Sequence, residues 1–94
     1  MRPENVLLVD DNELLLSGMK RFFEKDFVLV TASTNGEDAI VNLRQHTYQV
    51  VILDLKLPGI DGWEVLDYIK VNSPDCSVII ITSSEEAGSR QQAI

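Results

Sequence analysis

Cysteine occurs once in these 94 residues, at Cys76. No disulfide can therefore form within the chain, and the position of Cys76 at the head of an apolar run reads as packing rather than as a reactive thiol. Histidine is equally scarce, with His46 alone, so a zinc site built from His and Cys is excluded. Long apolar runs are missing: none exceeds Val78 to Ile81, far short of a bilayer span. The opening Met1-Arg2-Pro3-Glu4-Asn5 has no apolar centre of the kind a secretion signal needs, and the expected location is cytoplasmic. Positive charge is in short supply, with 8 Lys plus Arg against 15 Asp plus Glu and a net charge of -7. Such a chain repels phosphate backbones and anionic membranes, so nucleic-acid binding by this segment and membrane attachment are not expected. Repeats, low-complexity tracts and Pro/Gly/Ser linkers are also lacking, and residues 1-94 read as one small domain.

What is present is an alternation of compact apolar runs with helical periodicity, the pattern of alternating strands and helices. Strands are expected at Val6 to Val9, Phe27 to Ala32, Gln49 to Leu53 and Ser77 to Thr82. Their unbroken apolar character implies burial on both faces, as in a parallel sheet between helices. Helix one is expected from about Glu13 to Lys25, with Leu15, Met19, Phe22 and Phe23 on its inward stripe. Helix two follows the Asn35-Gly36 cap and turns Ala39, Ile40 and Leu43 inward, with His46 as a solvated residue at its end. Helix three opens at Asp61-Gly62-Trp63-Glu64, an acidic N-cap followed three residues later by Glu, and stops before Ser73-Pro74. Trp63 is expected to be partly packed. A fourth helix starts near Glu85 or Glu86.

In an open parallel α/β sheet, ligands bind beyond the carboxyl ends of the strands. Strand one ends in Asp10-Asp11, strand three in Asp54, and strand four in Thr82-Ser83-Ser84. Taken alone, Asp11 or Asn12 would read as a helix cap. If strands one and three are neighbours, however, three carboxylates converge, and their repulsion calls for a positive partner. All-oxygen ligation suits Mg²⁺. An ion beside Asp54 could offset the charge of an incoming phosphoryl group, leaving the Asp54 carboxylate as nucleophile.

Three stretches then carry a resemblance: Val6-Leu7-Leu8-Val9-Asp10-Asp11-Asn12, Val51-Ile52-Leu53-Asp54-Leu55-Lys56-Leu57-Pro58-Gly59-Ile60-Asp61-Gly62, and Val78-Ile79-Ile80-Ile81-Thr82-Ser83. In order and spacing they resemble the signature segments of response-regulator receiver domains of bacterial two-component signalling, of the chemotaxis-receiver type, and the resemblance runs the length of the chain. It implies a flavodoxin-like three-layer sandwich with parallel strand order 2-1-3-4. It also implies direct Mg²⁺ binding by Asp11, binding by Asp10 mainly through a water, and a double role for Asp54 as metal ligand and phosphoacceptor. The backbone carbonyl of Lys56 would complete the metal ligands, while its side chain either tunes hydrolysis of the phosphoaspartate or is simply solvated. Thr82 would hydrogen-bond the phosphoryl group and begin the switch, with the Ser83 backbone N–H binding another oxygen. Pro58 and Gly59 would shape the turn. The implied partners are a histidine kinase or phosphotransfer protein as donor, and an output domain or downstream protein as target.

Such domains continue with a fifth strand, bearing a lysine and an aromatic switch residue, and a last helix, roughly 25 residues by ordinary element lengths. The sequence has no counterpart of these, and Arg90 is not a substitute. The chain therefore reads as a receiver incomplete at its C-terminus. Strand four, apolar throughout, would then lie at a sheet edge, which predicts a homodimer through that edge or aggregation. Two other functions compete: a receiver-like interaction module that takes no phosphate, and an aspartyl-phosphate phosphatase of the haloacid-dehalogenase type. The latter would want a second Asp two residues after the nucleophile, where Lys56 stands. No enzymatic activity is expected.

Overall fold

The computed structural model describes residues 4–27 and 29–81. Within them the elements run β1 (Asn5–Val9), α1 (Glu13–Phe23), β2 (Leu29–Ser33), α2 (Gly36–Gln45), β3 (Val50–Asp54), α3 (Gly62–Asn72) and β4 (Ser77–Ile81). The strands form one parallel sheet in the order β2-β1-β3-β4. Helix α1 packs on β1 and β2, while α2 and α3 pack on each other and on the strands. The expected three-layer α/β architecture and its strand order are thus what the chain adopts. The expected fourth helix, the end of strand four at Thr82, and Ser83 lie outside the described residues.

Local chemistry explains why the helices begin where they do. Asn12, Asn35 and Asp61 each hold extended backbone, and each accepts a hydrogen bond from the N–H three residues on: Leu15 at 3.0 Å, Asp38 at 2.8 Å and Glu64 at 3.0 Å. Each cap satisfies a donor that the first helical turn cannot. Helix α3 stops at Asn72 with Ser73 as its C-cap, immediately before Pro74, as the proline requires.

Alternate residues of the central strands feed two cores. Leu7, Val9, Val51 and Leu53 face α2 and α3, where they join Ala39, Leu43, Trp63, Val65, Leu66 and Ile69. Val6, Leu8 and Ile52 face the other way and meet Leu16 of α1. Trp63 is fully packed rather than partly so.

Two expectations shift. The inward stripe of α1 is Leu16, Met19 and Phe23, whereas Leu15 is 44% and Phe22 63% exposed. The triple Leu14-Leu15-Leu16 offers any helical phase an apolar residue, so packing decides which one is buried. Strand β2 starts at Leu29 rather than Phe27, because Phe27 belongs to the exit of α1. Its N–H donates to the Phe23 carbonyl at 3.1 Å, and its ring meets that of Phe23 edge-on at 5.8 Å between centroids. Within α2, Ala39 and Leu43 are buried as expected and Ile40 is half-buried. Among the described residues β4 pairs only with β3, and Ile79 is 52% exposed.

Candidate functional site

Strands β1 and β3 are parallel neighbours, with Val9 opposite Leu53. Asp10, Asp11 and Asp54 therefore emerge side by side at the carboxyl edge of the sheet. One carboxylate oxygen from each lies within 4.8 Å of the others. Asp10 is buried, Asp54 half-buried and Asp11 exposed. Unit charges at such a separation repel by on the order of 3 kcal/mol per pair at an effective dielectric near 20, before solvent screening. The fold thus gathers negative charge at a cost, and the donor set, all carboxylate oxygen, suits a hard divalent cation.

The two strand ends use the same local device to aim their carboxylates. The Asn12 N–H donates to Asp10 Oδ1 at 2.9 Å, and the Lys56 N–H donates to Asp54 Oδ1 at 3.0 Å. Each is a side chain bonded to the backbone two residues ahead, a turn that Asp favours. Asn12 then caps α1, so one residue both orients Asp10 and starts the helix.

The loop after Asp54 is held tightly. The Gly62 N–H donates to the Leu55 carbonyl at 3.0 Å, and a Cβ at Gly62 would run into the backbone of Asp54 and Leu55. Gly59 adopts φ 72°, in the left-handed region open to glycine. Gly59 therefore shapes the turn, as the resemblance implies. The result is an open cleft of about 450 Å³ lined by Asp10, Asp11, Asn12, Leu15, Asp54, Lys56 and Ile81. Lys56 stands exposed at its rim.

The structure brings together Asp10, Asp11, Asp54 and Lys56 from the sequence-based set, while Thr82 and Ser83 fall outside the described residues. His46 and Cys76 sit at the opposite edge of the sheet, just before β3 and β4. His46 is the exposed C-cap of α2, its ring edge-on to Tyr48. Cys76 packs against the larger core, and burial pushes its thiol pKa up, consistent with a packing role. Three features escaped the sequence reading: the apolar walls Leu15 and Ile81, and a contact from α2 onto the loop after β3. The first two follow from strand and helix phase, and the third has no local signal.

A parallel sheet with helices on both faces and its chemistry at the carboxyl edge places the chain among the doubly wound α/β proteins. The model of the response regulator receiver domain matches residues 6–94, and the chain belongs to this family of bacterial two-component response regulators. The response regulator UvrY of Escherichia coli K12 is 38% identical over 84 residues, which cover 87% of this chain and 38% of UvrY. The chain thus spans well under half the length of that relative. Among solved structures, adenylate cyclase from Rhodopirellula baltica superposes with a TM-score of 0.88 at 29% identity, covering 98% of this chain and 68% of that one. The response regulator TrrA from Thermotoga maritima, solved in complex with Mg(2+)-BeF, gives a TM-score of 0.82 at 28% identity, covering 96% and 78%. Among the described residues no helix is long and apolar enough to cross a membrane.

Proposed function

We propose that this chain is the phosphoacceptor of a two-component phosphorelay, phosphorylated on Asp54 by a histidine kinase or phosphotransfer protein, and that it controls an output domain or downstream partner. The observation that carries this reading is the convergence of Asp10, Asp11 and Asp54 within 4.8 Å at the ends of adjacent strands. TrrA's complex with Mg(2+)-BeF supports it from a relative of the same fold. Asp10, Asp11, Asp54 and the backbone carbonyl of Lys56 would hold Mg²⁺. When bound, the ion supplies positive charge against the phosphoryl oxygens.

An Asp54 carboxylate oxygen forms a bond to phosphorus as the donor's P–N bond breaks, and the electron pair departs with the donor imidazole. The product is an acyl phosphate on Asp54. The Asx-type bond from the Lys56 N–H fixes the Asp54 carboxylate in its orientation before the donor arrives, so part of the alignment is present in the resting chain. Asp10, buried and bonded to the Asn12 N–H, holds its position in the same way. Thr82, through its hydroxyl, and Ser83, through its backbone N–H, are the proposed partners of the transferred group, with Thr82 starting the switch.

Incubation with Mg²⁺ and acetyl phosphate, read by intact mass, is expected to add one phosphoryl group to the wild type. None should appear on Asp54→Asn, nor on the wild type after chelation of the metal. A folded wild-type chain that gains no adduct contradicts the reading. The outer edge of β4, beside the half-exposed Ile79, is further proposed to pair with a second copy of this chain. Light scattering that shows a stable monomer at high micromolar concentration contradicts that pairing.

A further inference from the structure

The loop after β3 carries the Lys56 carbonyl, and one of the contacts holding its tip comes from α2, a helix that contributes nothing to the acidic cleft. The Ile60 N–H donates to Glu37 Oε2 at 3.2 Å, across 23 residues of sequence. The Glu37 carboxylate lies directly over Gly59: a Cβ on that glycine would sit 2.8 Å from Oε1 and 3.0 Å from Cδ. Gly36, one residue earlier, presses on the backbone of Ile60, where any side chain would collide with the Ile60 carbonyl. Two consecutive residues of the first turn of α2 thus grip two consecutive residues of the loop. That turn is itself well anchored, by the Asn35 cap and by Ala39, which is fully buried.

We propose that Glu37 is a positioning residue for the acceptor site: its carboxylate braces the Gly59-Ile60 turn and so holds the Lys56 carbonyl where a cation can use it. The inference rests on the proposed function, since it takes that carbonyl as a metal ligand. An acidic residue in the first turn of a helix has an ordinary explanation, complementing the positive end of the helix dipole. That explanation requires only a charge. It does not require a bond to a backbone N–H of another segment. The two accounts separate on substitution, because Gln keeps an oxygen that accepts the Ile60 N–H and loses the charge, whereas Ala loses both.

The test uses the full chain as wild type, Glu37→Gln and Glu37→Ala. Mg²⁺ affinity is measured by titration calorimetry, exchange of the Ile60 amide by NMR, and folding by thermal melting without metal. Glu37→Ala is expected to weaken Mg²⁺ binding roughly three- to tenfold, the range of one partly exposed charge-assisted hydrogen bond, and to speed exchange at Ile60 while the chain still melts cooperatively, with a midpoint lowered by only a few degrees. Glu37→Gln is expected to restore both. An Ala variant that binds Mg²⁺ like the wild type overturns the brace alone. A Gln variant as weak as Ala overturns it too, since charge would then be the cause. A wild type that binds no Mg²⁺ overturns the functional reading, and this inference with it.

Discussion

The two faces of the sheet are built from alternate residues of the same strands, yet they are buried to different depths. Toward α2 and α3, Leu7, Val9, Val51 and Leu53 meet a continuous apolar layer that includes Trp63, Val65, Leu66 and Ile69. Toward α1, Val6, Leu8 and Ile52 find Leu16 as the one buried helical partner among the described residues, with Met19 and Phe23 half-buried. Leu14, two positions before Leu16, is 85% exposed. The loop after Asp54 is mounted on the deeper face: it leads straight into α3, whose first turn buries Trp63. The cluster of carboxylates is thereby joined to the more deeply buried of the two cores.

The largest effect that should separate the faces is Leu53→Ala. It removes a fully buried side chain from the deep face, where the surrounding helices have little room to relax, and should cost about 4 kcal/mol. Leu16→Ala on the α1 face should cost less, about 2 kcal/mol, because its neighbours lie nearer solvent and can close over the gap. Urea denaturation of both variants measures the difference; equal losses would mean that the faces are energetically alike. A smaller effect of opposite sign is expected in the acidic cleft. Asp10→Asn removes one of three mutually repelling charges while its Oδ1 can still accept the Asn12 N–H, so the metal-free chain should gain about 1 kcal/mol as it loses Mg²⁺ affinity. A loss of stability in that variant would show that Asp10 is held by its bonds more than it is strained by its neighbours.

Much of the site was legible in the residues. Asp10 and Asp54 each follow an apolar run and each take a bond from the N–H two residues on, an interaction contained within a few residues. The caps Asn35 and Asp61 were readable for the same reason, since each acts over three residues. The helix-one stripe was less so. With Leu14, Leu15 and Leu16 in a row, periodicity cannot choose a phase, and contact with β1 and β2 chose Leu16. Leu15 instead lines the acidic cleft.

By itself the sequence determined the succession of strands and helices, their caps, and the identity of the acids at the strand ends, because each of these depends on chemistry within about one helical turn or one strand. Only the tertiary structure decided which leucine of α1 is buried and that Phe27 closes the helix rather than opening the strand. It alone also decided that Glu37 reaches the loop at Ile60. Those outcomes depend on segments far apart in the chain competing for the same space, and such competition leaves no local mark.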